Sequence, residues 1–182
     1  MKKRILWWQI AGIIFTVALG VLLHFVYDLS GEVLLFASFS SVNESIWEHM
    51  KILFFPMLFF ALIESFFLTE YKNFWTVKLT GILLGIITIP IIYYLYNGII
   101  GKSPDWLNIM IFVIATGVSF IYESKKFLKY NNTDAEGVKS LFLLVIIATI
   151  FVIFTYATPE LNIFKDPESN SYGINLIKSL II

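Results

Sequence analysis

ILWWQIAGIIFTVALGVLLHFVY, residues 5–27, runs for 23 residues without a charged side chain. Coiled at 1.5 Å per residue, a helix of that length crosses the roughly 30 Å hydrocarbon core of a bilayer. The run is longer than the apolar segment of a signal peptide and no small-residue cleavage site follows, so it reads as a retained first span behind the basic MKKR. At 100° per residue, Gln9, Gly12, Thr16, Gly20 and His24 share one stripe of this helix. A stripe of small and weakly polar residues suits close packing against other helices.

Composition extends that reading to the whole chain. Of 182 residues 58% are hydrophobic and only 14% charged, with a mean hydropathy of +0.81. That is too little charge to cover a water-soluble globule, and the surrounding partner is the lipid bilayer. Eighteen phenylalanines, nine tyrosines and five tryptophans fit a chain with two membrane interfaces. Thirteen basic and thirteen acidic side chains cancel, so nothing suggests a nucleic-acid partner. With no cysteine, disulfides, thiolate metal sites and cysteine nucleophiles are excluded.

Four further apolar runs, 52–68, 79–97, 106–122 and 140–156, predict an all-α, polytopic membrane bundle of five transmembrane helices, a single domain over 1–182. EVLLFASFS between the first two runs is too short to span, as is the terminal NLIKSLII. GKSPD reads as a turn, ESKKFLKYNNTDAEGVK as the longest polar connection, and 157–182 as an outer tail. With the N-terminus inside, Lys2, Lys3, Arg4, Lys72, Lys78, Lys125, Lys126, Lys129 and Lys139 lie on the inner side. Lys51, Lys102, Lys165 and Lys178 lie outside, a nine-to-four bias that obeys the positive-inside rule.

Polar information is concentrated in SSVNESIWEHMKILFFP, residues 40–56. Ser41 and Glu44 have the spacing of a capping box, which predicts a helix starting just after Ser41. Glu48 and His49 fall near the membrane surface, and so do His24 and Asp28 at the end of the first span. Imidazole and carboxylate are the ligands a divalent metal takes from a protein without cysteine, so His24, Glu48 and His49 are candidate metal ligands, with Asp28, Asn43 and Glu44 as further binding candidates; the same residues also suit a proton or hydrogen-bond network, or structural polar packing under the membrane surface. No H-E-x-x-H pair is present. Glu64 in the second span and Lys78 at the start of the third are expected to form a buried charge pair, with Gln9 at comparable depth. Gly81 and Gly85 form a GxxxG packing face. No G-x-S-x-G elbow, P-loop or dinucleotide fingerprint appears.

NESIWEHMK running into FFP, the preceding His24-Phe25-Val26-Tyr27-Asp28 and the tail KDPESNSYGI resemble a family of small bacterial integral membrane proteins to which no activity is assigned. The resemblance covers nearly the whole chain. It implies a multi-pass topology and a bacterial plasma-membrane address, and it rests on His24, Asp28, Asn43, Glu44, Glu48 and His49. Three functions follow as expectations. One is a polar outer-leaflet site that binds or transports a small solute, an ion or a proton. The second is an intramembrane metal-dependent hydrolase acting on a lipid or peptide. The third is an accessory subunit that meets a membrane complex, or a second copy of itself, through its small-residue faces.

Overall fold

The computed structural model describes residues 2–101, 105–129 and 136–174. Lys102 to Pro104 of the expected turn, the centre of the polar connection (130–135) and the terminal NLIKSLII (175–182) lie outside the described residues. The described chain is helical: α1 (Lys2–Leu29), α2 (Leu34–Ala37), α3 (Ile46–Ser65), α4 (Phe74–Ile99), α5 (Asp105–Leu128), α6 (Gly137–Tyr156) and a 3-10 turn at Asn162–Phe164. All but α2 and the 3-10 turn are long and apolar enough to cross a membrane, which makes this a multi-pass membrane protein.

The central helix is α3, 72% buried over its most apolar window, and it touches α1, α4, α5 and α6. Its Leu53, Phe54 and Phe55 meet Ile82 and Ile86 of α4, Phe112 and Phe120 of α5 and Phe151 of α6 in one continuous apolar core. The other helices leave one face of large apolar side chains exposed, among them Ile14, Ile91, Ile121 and Val145, as a lipid-facing wall requires. Glycines set how closely the helices approach. A Cβ added to Gly20 of α1 would stand 2.4 Å from the Phe112 ring of α5. On α4, a Cβ at Gly85 would stand 2.2 Å from Ser119 Oγ, and one at Gly81 would stand 2.5 Å from Glu123 Oε1. The GxxxG face of α4 is therefore its contact with α5.

Helix ends differ from the apolar runs in two consequential places. The first is α3, which begins at Ile46, ahead of the apolar run at 52–68, so Glu48, His49 and Lys51 are helical, although the helix starts later than the Ser41 box predicts. Its N-cap is Ser45, whose Oγ accepts from the Glu48 backbone N–H at 3.4 Å. The Ser41/Glu44 box does not form; Ser41 Oγ donates instead to the Asn43 carbonyl. Two S-x-x-E spacings follow one another here, 41–44 and 45–48, and the second satisfies the helix. The other is α5, which continues past Tyr122 to Leu128 and carries Glu123 into the bundle, fully buried.

Candidate metal site at one end of the bundle

At the end of the bundle that holds α2, the segment 40–45 crosses from α2 to α3 against the last turns of α1. It is held by one local turn bond and by two bonds to distant parts of the chain. Asn43 Oδ1 accepts from the Ser45 backbone N–H at 2.9 Å, an Asx turn, and Asn43 Nδ2 donates to the Gly173 carbonyl of the tail at 3.4 Å. The Ser41 backbone N–H donates to the Leu23 carbonyl of α1 at 3.1 Å. That last bond seats the loop beside His24, and Glu44 projects between the two histidines.

Glu44 Oε2 lies 3.5 Å from His24 Nε2 and 3.7 Å from His49 Nε2. The imidazole rings stand edge to face with centroids 5.5 Å apart. One ligand atom from each of the three residues falls within 4.8 Å of the others. Ligands of a tetrahedral zinc ion, each at about 2.0–2.1 Å, stand about 3.3 Å apart. Two edges of the triangle match that separation to within a few tenths of an ångström, and the third is no longer than 4.8 Å. The donor set of two imidazoles and a carboxylate therefore fits a divalent transition-metal ion. The 2.9 Å contact of His49 Nδ1 with the Ser45 carbonyl oxygen adds to the fit. Because a carbonyl only accepts, Nδ1 carries the proton, and the Nε2 lone pair is turned toward Glu44 and His24.

The carboxyl of Glu44, in the loop before α3, is held below the ordinary carboxylate value of 4.5. The hydrogen bond from His24 is the main cause; burial opposes it, and the charges of the two histidines reinforce it. A carboxylate lowered on folding contributes stability that is complete above 4.5 and is lost as pH falls through the lowered value. The stability difference between the protein and its Glu44→Gln variant should accordingly be largest just above that pH and shrink on acidification, as followed by chemical unfolding in detergent. A difference that grows on acidification would contradict the ion pair.

Glu48 does not join the histidines. It turns the other way and pairs with Lys51 at 2.6 Å while accepting from the Val42 backbone N–H at 3.1 Å. The Lys51 ammonium spends its other two donors on the Ala37 carbonyl (2.9 Å) and Thr155 Oγ1 (2.8 Å), so all three are satisfied in a fully buried position. Lys51, counted in the sequence as an outer loop charge, thereby ties α2, α3 and α6 together. Asp28 is exposed at the end of α1, one turn beyond His24, and makes no hydrogen bond or ion pair with the three candidate ligands.

A second buried cluster lies toward the opposite end. Lys78 of α4 pairs with Glu64 of α3 and, at 2.5 Å, with Glu123 of α5, while Gln9 Nε2 of α1 donates to Glu64 Oε1 at 3.1 Å. The ammonium also sits between the rings of Phe60, Phe74, Phe120 and Phe127, 5.4–5.9 Å from their centroids. Sequence reasoning missed Glu123 because it counted this residue with the polar connection. The available signal was the spacing of Thr116, Ser119 and Glu123, one small-to-polar face continued a turn beyond the apolar run.

Fold and site together define a multi-pass helical membrane protein with a His-Glu-His cluster at one end of the bundle. The chain belongs to a family of unknown function, DUF6512, whose sequence profile matches residues 1–174. No curated protein and no solved structure matches it.

Proposed function

We propose that this protein is a bacterial plasma-membrane protein, N-terminus inside, that binds a divalent transition-metal ion of the zinc class through His24, Glu44 and His49 near the outer surface. The observation that carries the reading is the orientation of His49. With Nδ1 bonded to Ser45, its Nε2 is presented to the same point as Glu44 and His24. Imidazole and carboxylate ligands select zinc and its neighbours over magnesium and calcium. The structural lysines leave the orientation unchanged: removing the buried Lys51 and Lys78 takes one from each side, and the remaining eight against three favour the same topology.

Binding is favoured over conduction by what lies beneath the site. Leu53, Phe54, Ile82 and Phe120 fill the centre of the bundle with tightly packed apolar side chains. A second reading, metal-dependent hydrolysis, is favoured by the number of ligands. Three protein ligands leave a coordination position for water or substrate, and Glu168 lines the same pocket. Metal analysis tests the reading. Full-length protein purified in detergent with added zinc and then desalted should retain about one zinc per chain. Protein that emerges without metal, and binds none on titration, would overturn it.

A further inference from the structure

The three candidate ligands line a cavity of about 330 Å³ between α1, α3 and α5. That volume lies at the lower end of the roughly 300–1,000 Å³ found for small-molecule sites. The cavity has a polar end and an apolar end. Glu168, Asn108, Glu44, His24 and His49 belong to the first; Gly20, Ile52 and Phe112 lie about one helical turn further into the bundle.

Depth in the membrane gives that polarity a meaning. The 28 residues of α1 extend about 42 Å, so a hydrocarbon core of roughly 30 Å centred on the helix begins about 6 Å from each end. His24, five residues from the end of α1, is then about 7.5 Å in, at the boundary between headgroups and acyl chains. Gly20 is one turn deeper, within the acyl region. At the rim, Val21, Phe25 and Ile109 are 48%, 53% and 61% exposed, so the mouth of the cavity is apolar and faces lipid rather than water.

Charge narrows the occupant further. Among the described residues no lysine or arginine lines the cavity, whereas two acidic residues, Glu44 and Glu168, do. A dication at the histidines would neutralise both, leaving no net charge for an anionic headgroup to pair with. A neutral carbonyl offers the metal an oxygen at no electrostatic cost, and Asn108 supplies an amide beside it.

We propose that the cavity takes one acyl chain of a neutral, ester-linked lipid, entering sideways between α1 and α5, with the ester carbonyl at the His24-Glu44-His49 metal. The chain-binding part stands on the cavity, and the placement of the carbonyl rests on the metal reading above. The probe is a monoacylglycerol with a photoactivatable diazirine in its chain, in phosphatidylcholine vesicles containing the full-length protein, with adducts mapped by mass spectrometry. Adducts should concentrate on Val21, Ile52, Ile109 and Phe112. Ile109→Trp fills the mouth from an exposed position, and it should lower cavity labelling at least about tenfold while zinc content stays unchanged. Labelling spread evenly over lipid-facing helices, or indifferent to Ile109→Trp, would overturn the proposal even in a zinc-loaded protein. Stronger labelling by a diazirine fatty acid of the same length would overturn the neutral headgroup. Cavity labelling in a protein that binds no zinc would overturn the carbonyl-metal contact and the metal reading together, leaving the acyl site.

Discussion

A Lys78→Met chain should be the least stable single variant of this bundle, losing about 3–5 kcal/mol. Methionine fills most of the volume of the lysine stem but leaves Glu64 and Glu123 facing each other, both fully buried, with no cation between them. The four phenylalanine rings around the ammonium offer an anion nothing in return. At membrane depth, water is not at hand to relieve the pair. Glu64→Gln should behave quite differently. It leaves Lys78 paired with Glu123, a balanced pair in place of two carboxylates on one ammonium, and the new amide still bonds Gln9, so the change should stay within about 1 kcal/mol. Unfolding in mixed micelles measures both variants. Equal stability of Lys78→Met and the unaltered protein would show that the cluster does not act as an ion pair, and a costly Glu64→Gln would show that Glu64 carries more than its share of the charge.

The second large effect is expected on zinc affinity. His49→Ala removes one of three ligands together with the Nδ1 bond that aims it, and His24→Ala removes the ligand supplied by the neighbouring helix. Each should weaken zinc binding by about 100-fold or more, since disturbing even an orienting partner of a metal ligand costs about 10- to 100-fold. Asp28→Asn, one turn beyond His24 at an exposed position, should lower the affinity by no more than about fivefold, because it removes no ligand and an exposed charge contributes about 1 kcal/mol or less. Competition titration against a chromophoric chelator reads all three. If His24→Ala binds zinc as tightly as the unaltered protein, the ion is not held between the helices.

What the chain determines by itself is its membrane character and the number of its long helices. A bilayer imposes a requirement that is local in sequence: about twenty consecutive apolar residues, whatever their neighbours in space. The runs beginning at Ile5 and Leu79 satisfy it without tertiary information, and the stripe from Gln9 to His24 follows from helical spacing alone. The charged positions could not be read this way. Lys51 and Glu123 look like loop residues because apolar counting stops at a charge. Their burial depends on Thr155, 104 residues from Lys51, and on Lys78, 45 residues from Glu123. The division of labour between Glu44 and Glu48 is likewise tertiary. Both stand three residues after a serine able to cap, and local rules favour neither. Once Ser45 caps α3, Glu48 turns with the helix toward Lys51, whereas His49, about 100° further round, turns toward α1. Glu44, left in the bend before the helix, is the carboxylate that reaches both histidines, because the loop is tied to α1 at Leu23.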